Sequence, residues 1–282
     1  MYSRVYVEIT NVCNMNCSFC HGHSRPPRRM TAEEFSHILS ELSSETSYLY
    51  YHLMGEPLTH PDLPLFLQMA HDRGFRSVIT TNGTLLAKRK TELLSVPLYK
   101  VNLSVHSFEE GSSEDFSRYL SELSDFAEEA SSKGTIVVFR LWNRGFDGGR
   151  NEEILSFLQR RFSGEWAENT RGRRIRDKLH IEWGERFSWP DREAEEGGAD
   201  VFCYALQDHF GILSDGSIVP CCLDSDAQLF LGNVFDTSLS EILSSSRAES
   251  IREGFLRRCA IESLCRRCGY ARRFLKNFQK NT

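Results

Sequence analysis

Apolar residues in the first two-thirds of the chain follow two alternating patterns. Short runs rich in valine, isoleucine and tyrosine alternate with longer stretches in which apolar residues recur every three or four positions. The short runs predict strands at 4–10, 48–54, 77–81, 100–105, 135–142 and 179–183. The longer stretches predict helices near 31–44, 61–73, 87–94, 113–132 and 152–161, the first opening with a capping box of Thr31 and Glu34. This order predicts an α/β fold in which parallel strands are joined by crossover helices.

The last third of the chain has a different character. An acidic, glycine-containing stretch at 191–200 is typical of a linker, and residues 212–219 form a hairpin pattern around an Asp-Gly turn. A helix is expected near 239–255. We therefore predict a partial (β/α)6 TIM-like barrel over residues 1–192, a linker at 193–202, and a small C-terminal α+β domain, with a β-hairpin and a helix, over 203–282.

The bulk composition indicates an ordinary globular protein. The chain has 282 residues, a net charge of −5 and 40% hydrophobic residues, and it contains no apolar run of membrane-spanning length. Its first strand pattern begins at Arg4, which leaves no room for a signal peptide. The nine cysteines fall into two groups, as expected for metal binding in a reducing compartment. We expect a cytoplasmic protein with no membrane partner.

The first cysteine group directly follows the first strand. Cys13, Cys17 and Cys20 have the spacing C-x3-C-x2-C, with no fourth cysteine nearby. A closed [4Fe–4S] cluster takes four cysteines, so three would leave one iron open to a further ligand. A structural zinc site is the alternative, but such sites usually have four protein ligands, and His21 and His23 fit that pattern poorly.

This spacing, at a strand-to-loop junction, resembles the signature of the radical S-adenosylmethionine (SAM) superfamily. The resemblance implies that the open iron binds the amino and carboxylate groups of SAM. One electron from the cluster then cleaves SAM to a 5′-deoxyadenosyl radical, which abstracts hydrogen from a substrate. It also implies an electron donor such as flavodoxin or ferredoxin.

Further motifs carry the same resemblance. Gly55-Glu56-Pro57 follows the second strand, and a carboxylate at a strand end suits an ammonium group. Arg140 lies among apolar residues of the fifth strand, where a buried guanidinium needs an anion, either a SAM carboxylate or an internal acid. The resemblance implies that the following residues contact SAM: Phe19, His21 through its backbone, Glu56, Asn82 in a Thr-Asn-Gly turn, Ser104 and Arg140.

Two acidic residues near the last barrel strand are candidates for proton transfer. Glu182 and Glu185 lie where a substrate would be approached, and a carboxylate there can act as a general base after hydrogen abstraction. The alternative is surface pairing with Arg186 or Arg192.

The second cysteine group resembles the SPASM and twitch domains that follow many radical SAM barrels. The six cysteines of this region are one fewer than a full SPASM domain needs, which favours the shorter twitch form. The resemblance implies one auxiliary [4Fe–4S] cluster, with Cys222 and Cys259 as spare thiols. A zinc knuckle is the alternative. The implied ligands are Cys203, Cys221, Cys265 and Cys268.

The substrate is less constrained. Peptide-modifying relatives commonly carry an additional N-terminal module, and this chain begins at its first strand, so a small molecule that is oxidised or otherwise modified is the first hypothesis. A peptide or protein substrate is the second. RNA is the third, because ten Lys and Arg face three Glu between Arg247 and Lys280. The competing class is a non-catalytic iron–sulfur or zinc protein that senses redox state or acts as a scaffold.

Overall fold

The computed structural model describes residues 1–109 and 113–274, so Lys276 and Lys280 of the basic stretch lie outside the described residues. The helices are α1 (Ala32–Glu41), α2 (Leu63–Asp72), α3 (Leu86–Leu93), α4 (Ser113–Ser132), α5 (Arg150–Arg161), α6 (Leu239–Leu243), α7 (Ser246–Leu256) and α8 (Ser263–Arg266). The strands are β1 (Arg4–Val7), β2 (Tyr48–Tyr50), β3 (Arg76–Thr81), β4 (Lys100–Ser104), β5 (Ile136–Arg144), β6 (Ala167–Asn169), β7 (Gly172–Arg176), β8 (Leu179–Glu185), β9 (His209–Ile212), β10 (Ser217–Val219) and β11 (Gly232–Asn233).

The predicted barrel elements are present. The six predicted strands are β1 to β5 and β8, and the five predicted helices are α1 to α5. The capping box at α1 is formed: the Thr31 hydroxyl accepts from the Glu34 N–H at 3.2 Å, and the Glu34 carboxylate accepts from the Thr31 N–H at 2.8 Å. No helix among the described residues is long and apolar enough to cross a bilayer.

The structure differs from the prediction in two places. The single helix expected near 239–255 is two helices, α6 and α7, because the serine-rich junction lets Ser245 cap a new helix by accepting from the Ala248 N–H. The antiparallel strands β6 and β7 were not predicted, since β6 is fully exposed and lacks an alternating apolar pattern.

The described chain divides into two compact units. The first contains Met1–Val12, His21–Gly55 and the described residues from Phe187 onwards. Its strands follow the order β11-β10-β9-β1-β2, in which β1 pairs in parallel with both β2 and β9. With a strand on each side, Val5 and Val7 of β1 are completely buried. The predicted hairpin is formed by β9 and β10, with Gly216 at a φ of +86° in its turn.

The second unit contains Cys13–Cys20 and Glu56–Arg186. Its strands follow the order β3-β4-β5-β8-β7-β6, and β3, β4, β5 and β8 are parallel. Helix α4 has a buried apolar face at helical spacing, formed by Phe116, Leu120, Leu123 and Ala127. Because the carboxyl ends of parallel strands meet at one edge, polar residues at these ends are brought together. These units do not test the predicted domain boundaries, which stay a prediction.

Candidate active site

The loop that carries the first three cysteines is anchored by polar contacts within the second unit. The Asn82 side-chain amide donates to Asn14 Oδ1 at 3.0 Å, and the Asn14 amide donates to Thr84 Oγ1 at 2.8 Å. Asn82 Oδ1 also accepts from the Thr84 N–H at 3.0 Å. The Ser18 N–H donates to a Glu109 carboxylate oxygen at 2.6 Å, and the Ser18 hydroxyl donates to the other oxygen. Asn82 thus positions this loop through its side chain, and its contact with SAM stays a prediction.

The thiols of this loop lie close enough together to influence one another's ionisation. The pKa of Cys17 is raised to about 12, mainly by burial and then by the charges of Glu109, Cys20 and Cys13. Burial also raises the pKa of Cys13, assisted by Glu56 and Cys20. The Cys17 thiol donates to the Ser107 carbonyl at 3.7 Å. Three neighbouring thiolates need a strong positive centre, and a [4Fe–4S] cluster provides one, so the donor set fits this group.

The Gly-Glu-Pro turn depends on a glycine. Gly55 has a φ of +74°, and a Cβ built on it would lie 2.4 Å from the Thr10 carbonyl oxygen. This close approach and the left-handed backbone together exclude other residues without a rearrangement. Gly55 therefore packs directly against the end of the segment that leads into Cys13.

Glu56 is a buried carboxylate with several donors. Its oxygens accept from the Leu58 N–H at 3.1 Å and the Asn82 N–H at 2.7 Å. Burial raises the pKa of Glu56 from 4.5 to about 7, although hydrogen bonds from Thr81, Asn82 and Leu58 act in the opposite direction. An ammonium group placed beside this carboxylate would stabilise its ionised form, so Glu56 is suited to the role predicted for it.

Three predicted residues lie side by side on adjacent parallel strands. Ser104 at the end of β4 is in register with Arg140 of β5, and Arg140 is in register with Glu182 of β8. Residues in register point to the same face of a sheet, and all three are half-buried. The Arg140 guanidinium lies 3.9 Å from the centre of the Trp142 ring, within the range of a cation–π contact. Glu182 is thus placed as the internal acid that is the alternative partner for Arg140.

A group of aromatic and charged residues borders the cluster loop. His106 Nδ1 lies 3.0 Å from the Arg140 carbonyl oxygen, and its ring centre lies 5.0 Å from that of Phe19. The Arg186 guanidinium lies 5.3 Å from the centre of Phe19 and forms an ion pair with Glu109 at 3.5 Å. Burial lowers the pKa of His106 to about 4, so this imidazole is neutral at physiological pH.

A cavity of about 590 Å³ opens beside this group, and its lining includes His106, Phe108, Glu109, Asn143, Phe146 and Arg186. Its size lies within the range of small-ligand sites. Sequence reasoning missed Glu109, since its contact with Ser18 joins residues 91 positions apart and has no local signal. It named Arg186 only as a surface partner of the acidic residues.

Two further candidates from the sequence have other neighbours. Glu185 is exposed and in register with Arg144 of β5. His21 belongs to the first unit, where its exposed ring stacks on Trp189 at 6.0 Å. The roles predicted for Glu185 and His21 stay predictions.

The thiols of the second cysteine group also influence one another. Burial raises the pKa of Cys221 far above its ordinary value, and Cys203, Cys265 and Cys268 contribute to the shift. Burial raises the pKa of Cys203 to about 12, with a further contribution from Cys268. The four thiols predicted as ligands therefore lie close together within the first unit, and four thiolates suit a complete [4Fe–4S] site.

The two spare cysteines have other surroundings. The pKa of Cys222 is raised to about 11, because burial outweighs the opposite effects of a hydrogen bond with Tyr6 and the charge of Arg4. Cys222 also packs against the buried cluster that contains Tyr6. Cys259 is exposed, and its N–H donates to the Gly254 carbonyl at 2.7 Å. Over residues 1–109 and 113–274, no three His, Cys, Asp or Glu side chains are arranged to hold a single metal ion.

Comparison with known families decides the identity. A model described as the radical SAM superfamily matches residues 7–143, and a SPASM model, described as an iron-sulfur cluster-binding domain, matches residues 203–269. The chain contains a radical SAM domain followed by a SPASM domain. Its radical SAM domain implies a [4Fe–4S] cluster with SAM, and its SPASM domain implies auxiliary iron–sulfur binding. The resemblance stated from the cysteine motifs is thereby confirmed.

Individual relatives of this radical SAM protein match only about a third of its length. The AdoMet-dependent heme synthase of Methanosarcina barkeri is 38% identical over 90 residues, covering 31% of this chain and 26% of the relative. The PqqA peptide cyclase of Bradyrhizobium diazoefficiens is 33% identical over 112 residues, covering 38% of this chain and 29% of the relative. The chain thus matches about a quarter to a third of these curated relatives' length.

The fold of nearly the whole chain is similar to that of a solved structure. The structure of BtrN in complex with AdoMet and 2-DOIA has a TM-score of 0.62 at 18% identity, covering 95% of this chain and 93% of that one. At this identity the likeness shows the fold alone. It confirms the α/β partial-barrel architecture predicted from the order of strands and helices.

Proposed function

We propose that this protein is a radical SAM enzyme that cleaves SAM reductively and abstracts hydrogen from a substrate. The supporting observation is that one compact unit contains the three-cysteine loop, the buried carboxylate of Glu56 and the register of Ser104 with Arg140. A [4Fe–4S] cluster bound by Cys13, Cys17 and Cys20 would supply the electron that converts SAM into the 5′-deoxyadenosyl radical.

The residues of the site divide the recognition of SAM among them. Glu56 would accept hydrogen bonds from the SAM amino group, since its carboxylate is buried and already aligned by two backbone N–H groups. Arg140 would pair with the SAM carboxylate. Ser104, which is in register with Arg140, would donate a hydrogen bond from its hydroxyl to the same carboxylate. Glu182, on the other side of Arg140, would accept a proton from the oxidised substrate.

The second cysteine group has a separate role in this proposal. Cys203, Cys221, Cys265 and Cys268 would hold one auxiliary [4Fe–4S] cluster, and the mutual influence of their thiols supports this assignment. Such a cluster would supply an electron acceptor, which suits a net two-electron oxidation. The nine cysteines also support a reducing, cytoplasmic location. The electron donor would be a flavodoxin or ferredoxin, as the family resemblance implies.

A small molecule is the substrate class that we favour. The solved structure of BtrN holds 2-DOIA, and the name of the heme synthase points to a small-molecule product. A peptide is the second candidate, because the PqqA peptide cyclase is also a relative. RNA has less support, since many arginines of the basic stretch are paired internally. These pairs are Arg247–Glu262, Arg257–Glu253, Arg258–Asp200, Arg266–Glu196 and Arg267–Glu196.

The experiment that tests this function is the formation of 5′-deoxyadenosine. The protein is reconstituted anaerobically with iron and sulfide, supplied with SAM and a strong reductant, and analysed by mass spectrometry. A variant with Cys13, Cys17 and Cys20 all changed to alanine is the control. We expect 5′-deoxyadenosine from the intact protein and none from the variant. An iron-loaded intact protein that yields none would favour the non-catalytic redox or scaffold class.

A further inference from the structure

Glu8 is a buried acid that the proposed reaction does not use. It follows β1 directly, and its side chain has no exposed surface. One carboxylate oxygen accepts from the Arg25 guanidinium at 2.7 Å and from the Met54 N–H at 3.2 Å. The other accepts from both the N–H and the hydroxyl of Ser214, at 3.1 and 2.9 Å. All four residues belong to the first compact unit.

Glu8 and each of its partners lie a few residues along the chain from a proposed cluster ligand or from Glu56. Glu8 precedes Cys13 by five residues, and Arg25 follows Cys20 by five. Met54 precedes Glu56 by two residues and is joined to it by Gly55. Ser214 lies in the turn of the β9–β10 hairpin, seven residues before Cys221. A single carboxylate therefore links three segments that lead to the two cysteine groups and to the Gly-Glu-Pro turn.

The cost of burying a charge argues for a specific role. A buried ion pair contributes little net stability compared with well-packed apolar residues, because desolvation offsets the attraction. A carboxylate that accepts four hydrogen bonds instead fixes the relative positions of its donors. Arg25 is itself held by a second contact, since its Nε–H donates to the Ser225 carbonyl at 2.7 Å. Both members of the Glu8–Arg25 ion pair therefore make further hydrogen bonds to the surrounding protein.

We propose that Glu8 is a positioning residue that sets the backbone leading into Glu56 and couples it to the hairpin that precedes Cys221. This inference rests on the proposed function, since it assigns Glu56 to SAM binding. The Met54 N–H contact fixes the entry to the turn, and the Gly55 contact with Thr10 fixes the turn itself. Disturbance at Ser214 would therefore reach the SAM site through Glu8.

The test measures SAM binding and iron content in the same samples. Reconstituted protein without reductant is titrated with SAM for the intact chain, Glu8→Gln, Ser214→Ala and Ser217→Ala. Glu8→Gln keeps the side-chain size and removes the charge, and Ser214→Ala removes only the hydroxyl contact. Ser217→Ala is the matched control on the same hairpin, since Ser217 donates its N–H to Asp215 and not to Glu8.

We expect the SAM dissociation constant to rise about tenfold in Glu8→Gln and about threefold in Ser214→Ala, with unchanged iron content. The thermal midpoint should fall in Glu8→Gln, because the largely buried Arg25 loses its charge partner, and should change little in Ser214→Ala. Ser217→Ala should match the intact chain. If Glu8→Gln does not fold, Ser214→Ala decides the question. Intact SAM affinity in the folded variants, or a loss of affinity that only parallels a loss of iron, would overturn the proposal. Absence of SAM binding by the intact chain would instead reject the proposed function, and this inference with it.

Discussion

The buried carboxylate of Glu56 makes SAM binding depend on pH near neutrality. Burial raises the pKa of Glu56 from 4.5 to about 7, so in the free protein this group gains a proton just below neutral pH. The ionised carboxylate is a strong acceptor for the N–H groups of the SAM amino group, and protonation removes this acceptor. SAM affinity should therefore fall as the pH is lowered through 7.

The size of the effect follows from this pKa. A group with a pKa of 7 is almost fully protonated at pH 5.5 and mostly ionised at pH 7.5, so the SAM dissociation constant should differ about 25-fold between these values. His106 and His209 do not interfere, because burial lowers the pKa of each to about 4.

The same shift affects the stability of the protein without SAM. A carboxyl group whose pKa is higher in the folded state than in the unfolded state binds its proton more tightly in the folded state. Its stabilising contribution is therefore complete below pH 4.5 and is lost as the pH rises through 7. The loss amounts to about 3 kcal/mol for the shift of Glu56, which is fully buried.

Equilibrium dialysis of SAM between pH 5.5 and 7.5 measures the first effect, and urea unfolding across the same range measures the second. Glu56→Gln should abolish both pH dependences and bind SAM no better at pH 7.5 than the intact chain does at pH 5.5. Glu129→Gln is the control, since Glu129 is partly exposed and paired with Lys90 on the surface. A flat profile in the intact chain, or an unchanged slope in Glu56→Gln, would refute the reasoning.

Three further predictions concern neighbouring residues. Gly55→Ala should lower the free energy of unfolding by about 2–4 kcal/mol in urea titrations, because its Cβ would collide with Thr10 at positive φ; an unchanged midpoint would contradict this. Arg140→Ala should raise the SAM dissociation constant about tenfold with iron content unchanged, and equal affinity would argue against its role. Cys221→Ala should lose about four irons per chain, whereas Cys222→Ala should retain them; the reverse result would reassign the ligand.

The sequence predicted the parts of the site whose signal is local. The spacing of Cys13, Cys17 and Cys20 lies within eight residues, and Gly55-Glu56-Pro57 within three, so each motif is visible without the fold. The strand pattern also placed Ser104 and Arg140 at the ends of neighbouring parallel strands. Their direct register follows from the pairing of β4 with β5, which the pattern alone does not fix.

The parts that the sequence did not predict depend on distant contacts. The pairing of β9 with β1 joins residues about 200 positions apart, and no local pattern announces it. The contact of Glu109 with Ser18 and that of Glu8 with Ser214 are of the same kind. A glutamate beside a strand is ordinarily a solvent-facing residue, and only the complete fold shows that Glu8 is buried.

The most direct test of the account is the iron and sulfide content per chain after anaerobic reconstitution. The intact protein is compared with the variant in which Cys13, Cys17 and Cys20 are alanine. The account predicts about eight irons in the intact protein and about four in the variant, one cluster being lost and the other retained. Absence of iron from both proteins, or an equal content in the two, would contradict it.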